Sequence, residues 1–214
     1  MNCRRKLFWY ENIPLVSFLF LQGRCAGCDC RISFRYPFVE LLTAVLFIAI
    51  YRFYGFSFGA LFYCLFVAGL IAITFIDLDH LIIPDSISLP GIISGLLGSF
   101  WVVDLGYLHS VLGVLSGGGV FWLLGWVYEK YTGREGLGFG DVKLLAMIGA
   151  FLGPSGALGT MVISSLMGSV FGVILMIAQK KDMKLAIPYG PFLAIGALTF
   201  LFWGDFIVLR LYSQ

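Results

Sequence analysis

The sequence predicts an all-α polytopic membrane protein, with about seven transmembrane or membrane-embedded helices and a small N-terminal cytoplasmic subdomain that contains cysteines. Of the 214 residues, 60% are hydrophobic and only 12% are charged, against about 45–50% and about 25% in soluble domains. So few charged side chains cannot cover the apolar surface of a water-soluble monomer, and the same composition excludes intrinsic disorder. The net charge of +2 is too small to indicate a nucleic-acid partner.

Residues 1–36 differ in composition from the rest of the chain. They hold six of the fourteen Lys and Arg residues and four of the five cysteines: Cys3, Cys25, Cys28 and Cys30. Their apolar run, 13–21, is too short to span a bilayer. We therefore predict two domains, a basic, cysteine-containing subdomain at 1–36 and a transmembrane domain at 37–214. A basic arm that lies on anionic lipid is the alternative interpretation of the first.

From Phe38 onward, apolar runs alternate with short polar breaks, as expected for helices that each need roughly 20 apolar residues to cross the hydrocarbon. The candidate membrane segments are 38–54, 57–76, 86–103, 107–128, 142–153, 156–178 and 188–209. The fifth is short and ends at Gly153-Pro154, so we expect it to be re-entrant, tilted or packed inside the bundle. Glycine pairs such as Gly113 and Gly117 are spaced for close helix packing, although glycine is common in all membrane helices.

The basic residues predict the orientation, because Lys and Arg accumulate on cytoplasmic loops. If residues 1–36 are cytoplasmic, the next inside segments are 77–85, 129–141 and 179–187. Together with Lys143, these regions contain twelve of the fourteen basic residues. Seven spans then place the C-terminus outside.

Acidic residues at the edge of a membrane are costly, so each one suggests a function. Asp77, Asp79 and Asp85 form a cluster at the end of the second segment, and Asp141 lies at the start of the fifth. The orientation, which was assigned from basic residues alone, places both groups at the cytoplasmic face. The two groups therefore become candidates for one shared site.

Two neighbouring carboxylates cannot both ionise cheaply, so they share a proton. The ionised member can activate water as a general base, and the protonated member can polarise a peptide carbonyl. Gly138 and Gly140, which lack Cβ atoms, would let a substrate backbone approach Asp141. His80 and His109 fall on opposite sides, which leaves no Ser-His or Cys-His arrangement for a covalent mechanism. This pattern favours an aspartic hydrolase that uses no cofactor for cleavage.

Each acid also has a simpler interpretation. Asp77 and Asp79 could be interfacial charges that end a helix, and Asp141 a first-turn charge favoured by the helix dipole. We expect Asp85 to cap the next helix. An ion-coupled transporter is a further alternative, but it would need acids near the middle of the bilayer rather than at one edge. A scaffold with a degenerate site is disfavoured because both acids are intact.

These motifs, in this order, resemble the bacterial type IV prepilin peptidases, membrane aspartic proteases of the GxGD type, over nearly the whole chain. The strongest elements are Gly138-Phe139-Gly140-Asp141, followed by Val142-Lys143, and Asp77, placed seven residues before Pro84. The further matches are Asn12-Ile13-Pro14-Leu15-Val16-Ser17, Arg35-Tyr36-Pro37 with Glu40, and Ile187-Pro188-Tyr189-Gly190-Pro191.

The resemblance implies that Asp77 and Asp141 are the catalytic dyad. Asp79 is the alternative to Asp77 as the first of the two acids. Lys143 would bias the local charge or contact substrate, or it would only anchor the cytoplasmic end. Members of the family cleave the basic leader of prepilins and pseudopilins after a glycine, on the cytoplasmic side of the bacterial inner membrane. The implied partners are these substrates, the lipid bilayer and the pilus or type II secretion machinery.

Many members then methylate the new N-terminus with S-adenosylmethionine. The resemblance associates Tyr36, Pro37 and Glu40 with that second activity, but there is no glycine-rich dinucleotide-binding fingerprint to support a cofactor site. A peptidase without methyltransferase activity is therefore the alternative within the family.

The resemblance also implies a structural zinc site, because many members carry two Cys-x-x-Cys pairs and four thiolates close such a site. Cys25 and Cys28 form the second pair. Cys3 has the position of the second cysteine of the first pair, whose partner would precede Met1, as would the usual first membrane helix. We therefore expect a shortened N-terminal region. Cys30 could supply a fourth ligand, although the Cys28-x-Cys30 spacing is tight.

Overall fold

The computed structural model describes residues 8, 11, 13–102, 105–133, 138–179 and 187–212. In these ranges the chain is helical, and the β-structure is confined to an isolated bridge between Arg24 and Arg31. The helices are α1 (Val16–Phe20), α2 (Arg35–Tyr54), α3 (Phe58–His80), α4 (Asp85–Gly98), α5 (Tyr107–Val114), α6 (Val120–Thr132), α7 (Phe139–Gln179) and α8 (Gly190–Tyr212). A π-helical stretch, Leu115–Gly119, joins α5 to α6. The all-α prediction is confirmed.

Within the described ranges, four helical stretches are long and apolar enough to cross a membrane: Arg35–Tyr54, Phe58–His80, Tyr107–Thr132 and Phe139–Ile177. Gly190–Gly204 is a shorter apolar helix. The third predicted segment, 86–103, is helical only as far as Gly98, so its 14-residue helix falls short of the roughly 20 residues of a straight span. Apolar composition alone does not separate a helix from the turn that follows it.

The fifth and sixth predicted segments form one helical run, α7, with a break at Gly153. This residue has φ 71° and ψ −174°, a conformation that glycine adopts without steric cost. Pro154 then begins the second half, where its missing N–H removes no helical hydrogen bond. The first half is buried at Leu144, Met147 and Phe151. Of the options for the short fifth segment, packing inside the bundle is therefore the one observed.

The chain divides into two compact units, residues 1–52 and 53–214. In the first unit, the Leu15 N–H donates a hydrogen bond of 2.8 Å to the Glu40 carboxylate. The Phe18 and Phe34 rings meet edge to face at 6.2 Å. These contacts hold α1 against the beginning of α2. The predicted division after residue 36 stays a prediction.

In the second unit, α7 lies at the centre and packs against α4, α5, α8 and the π-helical stretch. Phe151 stacks on Phe66 with ring centroids 4.6 Å apart. The Gly113 and Gly149 backbones are in direct contact, and a Cβ on Gly117 would meet the Leu145 carbonyl oxygen at 2.5 Å. Glycine therefore brings α5 and α7 together as the spacing predicted, because small residues let helix backbones approach closely.

Candidate active site

A cavity of about 400 Å³ lies where the end of α3 meets the first turns of α4, α7 and α8. Its wall contains Asp77 and Asp141, together with Asp85, Lys143 and Tyr189. The two acidic groups that the sequence analysis placed at one membrane face thus lie around one space. All of these residues belong to the second unit.

Asp77 lies in the last turn of α3 and is buried, with 4% of its surface exposed. Its Oδ2 accepts a hydrogen bond of 2.8 Å from the N–H of Gly190, the first residue of α8. A helix N-terminus favours negative charge, because its first N–H groups have no partner inside the helix. A Cβ at Gly190 would lie 2.8 Å from the same carboxylate oxygen, so the close approach requires glycine.

The α3 helix ends sharply after Asp77. Leu81 adopts the left-handed conformation, with φ 55° and ψ 36°, and its N–H donates to the Asp77 carbonyl oxygen. The chain then turns through residues 82–84 into α4, with Pro84 as the residue that precedes the helix. This turn places both ends of the α3–α4 connection in the cavity wall.

Asp141 lies in the first turn of α7 and is half-buried. Its N–H donates to the Gly138 carbonyl oxygen at 3.0 Å. Its carboxylate interacts electrostatically with that of Asp77. Asp141 thus lies at the N-terminus of its own helix, and the Asp77 carboxylate contacts the N-terminus of α8. Both placements favour ionisation, while the mutual repulsion of the two carboxylates opposes it. The arrangement suits a pair that holds one proton.

Asp79 lies two residues beyond Asp77 but is exposed, and it is not part of the cavity wall. The α-helical turn explains the difference, because residues two apart point to different faces. The geometry therefore favours Asp77 over Asp79 as the first acid.

Gly138 and Gly140 pack against the protein itself. A Cβ at Gly140 would lie 2.9 Å from Cβ of Ile83, and a Cβ at Gly138 would lie 2.9 Å from the Asp141 carboxylate. Gly140 thus lets α7 approach the α3–α4 connection. The predicted approach of a substrate backbone to these glycines stays a prediction.

Lys143 and Asp85 form an ion pair across the cavity wall. The Lys143 Nζ donates to both oxygens of Asp85, at 2.7 and 2.8 Å. The prediction that Asp85 caps α4 is wrong, because Pro84 occupies the cap position and Asp85 is the first helical residue. Its carboxylate instead pairs with the ammonium group of Lys143 on α7.

Tyr189 was missed as a site residue, although it belongs to a run that matches the family. Its hydroxyl shares hydrogen bonds with Ser164 at 2.9 Å and Ser165 at 3.2 Å, both on α7. The neighbouring Gly190 N–H was missed as well. The available signal was a Gly-Pro helix start after a polar loop, since helix N-termini bind anions.

Three of the four predicted zinc ligands lie in one short loop. The Cys25 N–H donates to the Cys30 carbonyl oxygen, and the Asp29 N–H donates to the Cys25 carbonyl oxygen, both at 2.9 Å. Cys3 lies outside the described residues. No group of three His, Cys, Asp or Glu side chains in the described ranges is arranged to hold a metal ion. The described cysteines alone therefore do not fit zinc, and the four-cysteine site stays a prediction.

The residues associated with methylation lie at the beginning of α2. Tyr36 and Glu40 are exposed, whereas Pro37 is buried. Because Glu40 already accepts the Leu15 N–H, its carboxylate has a structural partner. The role of these residues in methylation stays a prediction.

The chain matches models of one peptidase family and is similar to curated proteins that share one name. Residues 64–173 match the Type IV leader peptidase family, and residues 1–54 match the Bacterial Peptidase A24 N-terminal domain. The prepilin leader peptidase/N-methyltransferase of Aeromonas hydrophila is 43% identical over 210 residues, which are 96% of this chain and 71% of that protein. The protein of the same name from Pseudomonas aeruginosa is 41% identical over 217 residues, which are 100% of this chain and 73% of that protein. No solved structure matches the chain.

Proposed function

Because this chain belongs to the type IV leader peptidase family, we propose that it is a membrane aspartic endopeptidase. It removes the leader of type IV prepilins and pseudopilins after a glycine and then methylates the new N-terminus. The observation that carries the proposal is the placement of Asp77 and Asp141 in the wall of one cavity, where the Asp77 carboxylate contacts the N-terminus of α8 and Asp141 lies in the first turn of α7.

In the proposed reaction, Asp77 and Asp141 share one proton. The ionised carboxylate takes a proton from water, and the water oxygen attacks the carbonyl carbon of the scissile bond. The protonated carboxyl donates a hydrogen bond to the carbonyl oxygen. The C–N bond then breaks as a proton passes to the leaving amine. The leader departs with a new carboxyl group, which loses the remaining water proton to solvent, and the pair again holds one proton.

The proposed orientation places this cavity at the cytoplasmic face of the bacterial inner membrane. The support is the distribution of basic residues, because the inside regions contain twelve of the fourteen Lys and Arg residues. A substrate whose basic leader stays in the cytoplasm, with its apolar helix in the bilayer, would present the cleavage point at this edge. The pilus or type II secretion machinery would receive the processed product.

The proposed methylation rests on the relatives' shared name and on the match of residues 1–54. S-adenosylmethionine would supply the methyl group. Tyr36 and Glu40, which the resemblance associates with this activity, are exposed at the beginning of α2.

The test is to incubate the purified chain in lipid nanodiscs with a membrane-embedded prepilin and to weigh the products by mass spectrometry. We expect the mass of the leaderless pilin, and one added methyl group when S-adenosylmethionine is present. The Asp141→Asn chain is the control and should leave the prepilin intact. A prepilin that the unaltered chain leaves uncut would contradict the peptidase, and a cut but unmethylated pilin would contradict the second activity alone.

A further inference from the structure

We propose that the Asp85–Lys143 ion pair positions the two catalytic acids. It ties the α3–α4 connection to the first turn of α7 and so sets the separation of the Asp77 and Asp141 carboxylates. The inference rests on the proposed function, because it concerns the same cavity. Asp85 and Lys143 are positioning residues here and are assigned no contact with the reacting atoms.

The first observation is the geometry of the pair. The Lys143 Nζ donates to both oxygens of Asp85, at 2.7 and 2.8 Å, so two short charge-assisted bonds fix one contact between helices. Asp85 is the first residue of α4. Lys143 lies in the first turns of α7, two residues after Asp141.

The second observation is the path of the chain between the acids and the pair. Asp77 lies in the last turn of α3, and its backbone carbonyl oxygen accepts a hydrogen bond from the N–H of Leu81, at the start of the connection. Asp85 lies at the far end of that connection. A shift of Asp85 would therefore move the segment that holds Asp77. On the other side, only one residue separates Lys143 from Asp141.

A second contact joins the same two segments. Ile83 of the connection packs against Gly140 of α7, where a Cβ would lie 2.9 Å from the Ile83 Cβ. The two contacts are made by residues that flank Asp141 in the sequence. Packing at Gly140 sets the distance between the α3–α4 connection and α7. The ion pair at Lys143 fixes the position of one segment along the other.

The partial solvent exposure of the ion pair favours a role in positioning over a large contribution to the stability of the fold. The Lys143 side chain is 28% exposed and that of Asp85 is 55% exposed, and partly exposed ion pairs contribute little to stability. The pair also balances charge, because the cavity wall holds the carboxylates of Asp77, Asp85 and Asp141. Lys143 neutralises the one that the proposed reaction does not use.

The test is a double-mutant cycle on prepilin cleavage with Lys143→Met, Asp85→Asn and the combined variant. Each single change should lower kcat by roughly 10- to 100-fold with KM little changed, because a misplacement of about 1 Å can cost about 10²-fold in rate. The kcat of the combined variant should be no lower than that of the less active single variant, since both changes remove the same contact. Losses that multiply, or a rise in KM at constant kcat, would overturn the proposal in favour of separate substrate contacts.

Two further variants test whether the loss of activity comes from the ion pair or from the removal of any lysine. Lys143→Arg keeps the charge and should retain most of the activity, whereas loss of activity in this folded variant would overturn the role of the pair. Lys130→Met is the matched control, because Lys130 lies over the Trp126 ring on α6 and outside the cavity wall. Its kcat should equal that of the unaltered chain.

Hydrogen exchange supplies a readout that does not need cleavage. In Lys143→Met, amide exchange should accelerate several-fold in both the 81–88 and 138–143 segments, and Lys130→Met should leave both unchanged. Unchanged exchange in Lys143→Met would overturn the proposal even if the chain proved to have another activity. A chain that fails to cut prepilin but shows the paired acceleration would contradict the proposed function alone.

Discussion

The Asp77 carboxylate accepts a hydrogen bond of 2.8 Å from the backbone N–H of Gly190, which lies 113 positions further along the chain. The bond joins the last turn of α3 to the first turn of α8. The donor is a helix N–H that lacks a partner inside its own helix, so a backbone group orients the carboxylate. This bond would preorganise Asp77 for the role in cleavage that we propose.

Gly190→Ala should disrupt this bond directly. The added Cβ would lie 2.8 Å from Asp77 Oδ2, so the carboxylate or α8 must shift. We expect prepilin cleavage to fall by roughly 100-fold, measured as kcat in nanodiscs. Gly172→Ala is the control, because its Cβ would meet the protein only at an ordinary 3.7 Å. Equal activity of the two variants would show that the close approach is unimportant.

Gly140→Ala separates two explanations of the glycine before Asp141. If Gly140 is needed because an added Cβ would lie 2.9 Å from the Ile83 Cβ, the variant should lose cleavage, and a second change, Ile83→Ala, should restore part of it. If the glycine instead admits the substrate backbone, Ile83→Ala will restore nothing. Comparing kcat for the single and double variants distinguishes the outcomes.

Tyr189→Phe removes a hydroxyl that bonds to Ser164 and Ser165. We expect the free energy of unfolding to fall by about 1 kcal/mol, the usual net contribution of such a bond, and cleavage to fall less than in Gly190→Ala. Chemical unfolding in detergent measures the first effect. Tyr131→Phe, at a side chain 85% exposed, should change neither quantity, and an equal loss there would remove the basis for this prediction.

Thr160→Val should stabilise the second unit. The Thr160 hydroxyl is fully buried and has no hydrogen-bond partner among the described residues. Replacing it with a methyl group removes that desolvation cost, for a gain of about 1 kcal/mol. Thr199→Val is the control and should give no gain, because the Thr199 hydroxyl donates to the Ile195 carbonyl oxygen at 2.8 Å. A loss of stability in Thr160→Val would count against this assignment.

The sequence predicted the elements that depend on composition and local pattern. The apolar runs became helices, and Gly153-Pro154 became the kink of α7. The charges alone placed the cluster of Asp77, Asp79 and Asp85 at the same membrane face as Asp141, since basic residues indicate orientation and acids at a membrane edge are rare. The choice of Asp77 within that cluster came from the family resemblance. Both acids do line one cavity.

Contacts between distant segments were beyond this reasoning. The Gly-Pro helix start could indicate an anion site at Gly190, but because the bond is made by a backbone N–H, no side chain indicated that its partner is Asp77. Asp85 was expected to cap its own helix, because local capping is the commonest role of an acid at that position. Its actual partner, Lys143, is 58 residues away. Such pairings depend on how helices pack, which a single sequence does not specify.

The central claim is that Asp77 and Asp141 act together on water. Its most direct test is cleavage of a membrane-embedded prepilin by Asp77→Asn, Asp141→Asn and Asp79→Asn, with folding of each variant checked by thermal unfolding. We predict that the first two show no cleavage above background, whereas Asp79→Asn, altered at an exposed acid outside the cavity wall, retains it. Cleavage that survives in either of the first two variants, or that disappears in Asp79→Asn alone, would contradict the account.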